Sequence, residues 1–146
     1  MDDEKVFEML DECVAFAKEQ LETRQELTPF AMVLNTKEEI ESLHNNEPDP
    51  HARYEQLHET LKLQAKQGSI IAVALLAKVT IPEHFSPTVS EGIRIHIEEK
   101  ASAHEKIAGR FLYIPYQLYK TEEGDEKISV HFHNPIPVGF PSEIFL

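Results

Sequence analysis

The stretch Gly68-Ser-Ile-Ile-Ala-Val-Ala-Leu-Leu-Ala-Lys-Val-Thr-Ile-Pro82 decides the fold. Between its glycine and its proline, one charge, Lys78, interrupts a long apolar run. Periodicity alone does not separate a buried strand from a buried helix in such a run. Three features select the strand. Ile70, Ile71, Val73, Val79, Thr80 and Ile81 are β-branched and suit a pleated surface. Gly68 closes a preceding helical pattern, and Pro82 stops the run. The segments around it also read as strands that need a central partner. Ile70–Ile81 is therefore expected to be the middle strand of a sheet, with both faces at least partly covered.

Upstream of it, Asp49-Pro50 is a strong helix start. Asp is a preferred N-cap, and proline fits the first helical position because its missing N–H had no partner there. Tyr54, Leu57, Leu61 and Ala65 form the apolar stripe of that helix, with His58 beside it, and Gly68 is its expected left-handed terminator. Further back, Phe30–Leu34 and Glu39–Leu43 read as a hairpin around Asn35-Thr-Lys-Glu38. The chain begins with a helix from about Glu4 to about Glu22, capped by Asp2 or Asp3. Val6, Leu10, Cys13, Val14, Ala17 and Leu21 make its stripe, broadened by Phe7, Met9 and Phe16.

Downstream, Ile93-Arg-Ile-His-Ile-Glu98 alternates strictly. One face is expected on the core, and Arg94, His96 and Glu98 face solvent or a partner. Lys106–Tyr119 is a long strand in which Gly109 marks a bulge or a close backbone approach, and Pro115 a bend or an edge. Thr121–Glu126, with Gly124-Asp125, reads as a hairpin turn, and Ile128–His133 alternates again. The segment Asn134–Leu146 is too proline-rich for a helix and too apolar to hang free, so it is expected to pack across the body or into a partner. The expected architecture is a single α+β domain over residues 1–146. Its order is α-β-β-α-β-β-β: two layers, with a mainly antiparallel sheet of about five strands and two helices on one face.

The quoted segments Phe30–Leu34, Ile70–Val79, Ile93–Glu98 and Phe111-Leu-Tyr-Ile-Pro-Tyr116, with the acidic hairpin and the helix after Asp49-Pro50, resemble a group of small stand-alone bacterial proteins of unknown function. The resemblance runs from Pro29 to Tyr116 and implies a fold and no reaction. The order of elements is also broadly similar to that of profilin-like regulatory domains, an analogy of order alone.

A net charge of −12 opposes binding to a nucleic-acid backbone or to anionic lipid. Such acidity chiefly reports solubility, and secondarily a surface for a basic partner. Cys13 is the one cysteine, so no internal disulfide forms, and its place on an apolar stripe points to an inert buried thiol. The chain shows no basic and apolar leader and no run long enough to span a membrane, so a cytoplasmic location is expected. No phosphate loop, dinucleotide fingerprint or nucleophile elbow occurs, Ser69 included, and no cofactor is expected.

Histidine is the only enrichment with chemical potential. His131 and His133, two apart on a strand, emerge on one face, and His96 leaves the apolar face of its own strand. With Glu98 or Asp125 as a further ligand, these three are the set that would chelate a metal; the preferred reading is that they are ordinary polar positions of alternating strands, and no metal site is expected. His44, His51, His58, His84 and His104 suggest no common site. Arg94, His96, Tyr116, Phe140 and Phe145 are the candidate interaction surface. The expected function is a non-enzymatic binding or regulatory module that uses its sheet face, binding a protein partner or forming a homodimer. A small-ligand or metal-dependent enzyme on the histidine-bearing face is the alternative.

Overall fold

The computed structural model of the chain describes residues 3–120 and 128–146. The apolar stretch between Gly68 and Pro82 forms β3, Ile70–Thr80, and it is central. Its neighbours are β1, Phe30–Asn35, and β4, Glu91–Glu99, both antiparallel to it. Outside β1 lies β2, Ile40–Leu43. Outside β4 lies β5, Gly109–Lys120, whose far edge carries β6, Ile128–Phe132, and β7, Ile136–Phe140. Tyr116 pairs with Phe132 and Tyr113 with Ile136, a one-residue shift in register, so β6 and β7 act as one interrupted strand along β5.

Among the described residues the sheet thus has seven strands rather than about five. The Ile128 segment joins it, and β7 comes from the stretch Asn134–Leu146, expected to pack across the body but not as a strand of the sheet. Pro137 on β7 sits opposite Leu112, and among the described residues β7 pairs with β5 alone. A strand bonded on one side has room for a residue that donates no ladder hydrogen bond.

The helices lie on opposite faces, which corrects the two-layer expectation. α1, Asp3–Arg24, buries Val6, Met9, Cys13, Ala17 and Leu21 against Met32, Ala74, Leu76, Ile93 and Ile95. α2, Pro50–Gln67, buries Leu57 and Leu61 against Ala31, Val33, Val73 and Leu75. Successive strand residues point to opposite faces, so β1 and β3 feed both clusters. That is why β3 reads as an unbroken apolar run: each face has its own helix. Phe7, expected to broaden the α1 stripe, is exposed instead. Cys13 is fully buried, and burial, with Glu12 adding, pushes its thiol up to about 12, where no thiolate is available.

The boundaries of α2 follow its caps. Asp49 accepts a hydrogen bond from the Ala52 amide at 3.0 Å, and Gly68 takes φ +76°, with its N–H donating to the Ala65 carbonyl. The β1–β2 turn is held by Asn35, whose Oδ1 accepts from the amides of Lys37 and Glu39. α1 ends at Arg24, where Gln25 turns left-handed at φ +56°. The cap read at Asp2 and the turn read at Thr121–Glu126, Asp125 included, lie outside the described residues.

Leu57 and Leu61 are the centre of the α2 contact, and each should lose about 2–5 kcal/mol on substitution by alanine. Urea midpoints at unchanged slope measure this; a loss below about 1 kcal/mol for both would contradict the packing described.

Candidate functional site

The alternation of β4 places Arg94, His96 and Glu98 on the α2 side of the sheet, opposite Tyr113, Phe111 and Gly109 of β5. Sequence alternation alone predicts that this face meets solvent or a partner. In the structure His96 and Glu98 are buried, at 0% and 1% exposure, because the last segment, Pro141–Leu146, folds back over them. Gly109 makes the fold-back possible: a Cβ there would come within 2.8 Å of the Phe140 ring and 3.2 Å of Glu98 Cγ. The close approach read at Gly109 is thus present.

Glu98 is the hub. Its Oε1 accepts from the Ser142 hydroxyl at 2.6 Å, the Ile144 amide at 3.0 Å and the Phe145 amide at 3.1 Å. Its Oε2 accepts from the Glu143 amide at 3.0 Å and pairs with His96 Nε2. Burial alone would raise this carboxyl. The hydrogen bonds from His96, Ser142 and the amides of Glu143 and Ile144 outweigh it and hold the group down at about 2. A buried carboxylate with this many donors stays charged, and it fixes the path of the segment that supplies them.

Around the hub, His96 Nε2 faces Glu98, while its Nδ1 is buried without a hydrogen-bond partner among the described residues. Glu143 Oε1 lies 4.0 Å from that Nδ1 and 3.1 Å from His58 Nε2 on α2. The His96 ring is walled by Phe111 and Phe140, each edge-on, at centroid distances of 5.3 and 4.9 Å. Arg94 lies between aromatic rings, 4.5 Å from the centre of Phe111 and 5.4 Å from that of Tyr54, and its Nη2 donates to the Tyr54 hydroxyl at 3.1 Å. Burial raises the Tyr54 hydroxyl above its ordinary value, with Arg94 opposing.

Beside the hub, the second half of α2, the turn after β4 and the last segment enclose a groove of about 800 Å³. Ala65, Ala103, Ile144 and Phe145 supply apolar lining, Leu63 and Leu146 stand exposed at its rim, and Lys62, Lys66 and Lys100 surround it. Lys62 lies 3.8 Å from Glu59, whereas Lys66 and Lys100 form no ion pair among the described residues.

The residues singled out from sequence are dispersed. His131 and His133 do meet, edge to face at 4.7 Å, and His133 Nε2 bonds to Gln117 at 2.8 Å. They do not meet His96. Among the described residues the group of three with ligand-type atoms within 4.8 Å of one another is His58, His96 and Glu143. Glu98 holds the last segment rather than completing a set with His131 and His133. Of the expected interaction surface, His96, Tyr116 and Phe145 are buried in the fold, Tyr116 on the α1 side, while Arg94 and Phe140 are half-buried. His58, Ser142 and Glu143 carried no signal for this site beyond the place of His58 beside the α2 stripe.

Among the described residues no helix is long and apolar enough to cross a membrane. Comparison with protein-family models, with curated proteins and with solved structures found no match, so the geometry of the groove and its hub is the ground for a functional reading.

Proposed function

We propose that the protein is a non-enzymatic binding module whose groove between α2 and the last segment takes up a small ligand with an apolar body and an anionic end. The observation that carries this reading is the convergence of Lys62, Lys66 and Lys100 on one apolar-lined groove in a chain of net charge −12. Glu59 also lines the groove and is matched by Lys62 at 3.8 Å, while Lys66 and Lys100 form no ion pair among the described residues, so two cations remain to meet a ligand carboxylate. The volume suits a ligand of drug-like size, and the apolar lining offers the burial that drives such binding. Both sheet faces carry a helix, so the contact surface moves from a sheet face to this groove.

Decanoate and decyltrimethylammonium, titrated below their micelle concentrations, separate the charge requirement from simple apolar affinity. Saturable one-site binding of decanoate is expected, with little or none for the cation. The double variant Lys66→Glu, Lys100→Glu should weaken decanoate at least tenfold at unchanged melting temperature. Equal affinity for the two amphiphiles, or an unaffected double variant, would refute the reading. Ligand-dependent doubling of mass by light scattering would instead mark the groove as a contact between copies of the chain.

A further inference from the structure

We propose that His58 Nε2, His96 Nδ1 and the Glu143 carboxylate bind one divalent transition-metal ion, with zinc as the reference ion. This inference is independent of the groove's ligand. The three side chains come from α2, β4 and the last segment, and their ligand-type atoms lie within 4.8 Å of one another. Two of the separations are 3.1 and 4.0 Å. Donors bound to zinc at ~2.0–2.1 Å in a tetrahedron stand roughly 3.3 Å apart, so small side-chain rotations close the set.

The second observation is His96 itself. Its ring is fully buried, and its Nδ1 has no partner among the described residues. A buried polar atom left unpaired is costly, and a bound cation is the partner its position calls for. The other ring nitrogen is committed to Glu98, an arrangement that assigns the Nε2–H tautomer and leaves the Nδ1 lone pair facing Glu143. A carboxylate behind the remote nitrogen of a histidine is the usual support of a metal-bound imidazole. Glu98 also accepts the backbone N–H of Glu143, so one buried carboxylate positions two of the three ligands. A dication would balance the two carboxylates, Glu98 and Glu143. Two imidazole nitrogens and one carboxylate oxygen suit zinc, nickel or copper better than calcium or magnesium. His58 and Glu143 are only partly covered, at 21% and 47% side-chain exposure, so the ion has a path from solvent and room for a water as fourth ligand.

The test uses untagged full-length protein, stripped with a chelator and titrated with zinc by calorimetry. Binding of close to one zinc per chain is expected, with a dissociation constant in the micromolar range or below. His58→Ala and Glu143→Gln, both at partly exposed positions and checked for folding by circular dichroism, should each weaken it at least tenfold. The double variant His131→Ala, His133→Ala should bind as the parent does. Cobalt should give visible ligand-field absorption without thiolate charge-transfer bands, and Glu143→Gln should lose it. Absence of binding at tenths of millimolar zinc would overturn the proposal, as would binding that survives both His58→Ala and Glu143→Gln, or loss of zinc in the His131, His133 double variant.

Discussion

Glu98→Gln should destabilise the protein by about 3–4 kcal/mol and release the last segment, although it preserves the shape of the side chain. The carboxylate accepts from three successive backbone amides, a hydroxyl and an imidazole, and every one of these groups is a donor toward it. An amide side chain keeps one acceptor oxygen and turns an NH₂ against the remaining donors. Those N–H groups are then buried and unpaired, which costs more than the lost attraction itself. Urea unfolding at neutral pH, together with protease susceptibility of the last segment, measures both effects. A loss below about 1 kcal/mol with the segment still protected would show that Glu98 is not the hub.

The same group makes stability depend on pH, with a definite sign. Its folded value, about 2, lies below the ordinary 4.5, so the folded state holds its proton less tightly than the unfolded chain. The stabilisation is fully present above pH ~4.5 and is lost as pH falls toward 2. The gap corresponds to roughly 3 kcal/mol. Urea midpoints should therefore fall between pH 4.5 and 2 in the parent, and the Glu98→Gln variant should show a flatter dependence over that window.

Deleting Pro141–Leu146 should lower stability by on the order of 3 kcal/mol, or the melting temperature by about 10 °C for a chain of this size, and raise the binding of a hydrophobic dye. Ile144 and Phe145 are 2% and 5% exposed in the α2 cluster, and burying such side chains contributes roughly 1.5–3 kcal/mol each. The deletion also strips Glu98 of four of its donors and leaves a charge under α2. Against this stands the conformational entropy regained by the freed residues, which is why the net loss is smaller than the sum of the contacts. The two effects are coupled. Adding Glu98→Leu to the truncated chain should recover part of the loss, because the stranded charge is then gone. A truncated protein that matches the full chain in melting temperature and dye binding would show that the segment adds nothing to the fold.

Short-range chemistry was legible in the residues themselves. Asp49-Pro50 and Gly68 bound α2 because capping and left-handed geometry depend on a few adjacent residues. Strict alternation identified β4, and the apolar run identified β3 as central. That run held a further signal: a strand apolar on both faces calls for cover on both, which the placement of α1 and α2 supplies. β7 was missed because Pro135 and Pro137 count against a strand in general but not against an edge, and being an edge is a property of the sheet.

The site was legible only in halves. Spacing by two places His96 and Glu98 on one face of β4, yet nothing local says what covers that face. Its cover is the last segment, more than forty residues on, held chiefly by the backbone N–H groups of Glu143, Ile144 and Phe145. The apolar residues of Asn134–Leu146 already called for packing on the body, and Ile144 and Phe145 are buried there; but every residue but proline carries that N–H, so composition and spacing hold no trace of where the segment is held. The sequence by itself determined the central strand, the caps of α2 and the parity of β4, because these rest on contacts between near neighbours. Only the tertiary structure decided that His58, His96 and Glu143 meet while the His131–His133 pair lies away from them, because that depends on which distant segment closes over a buried carboxylate.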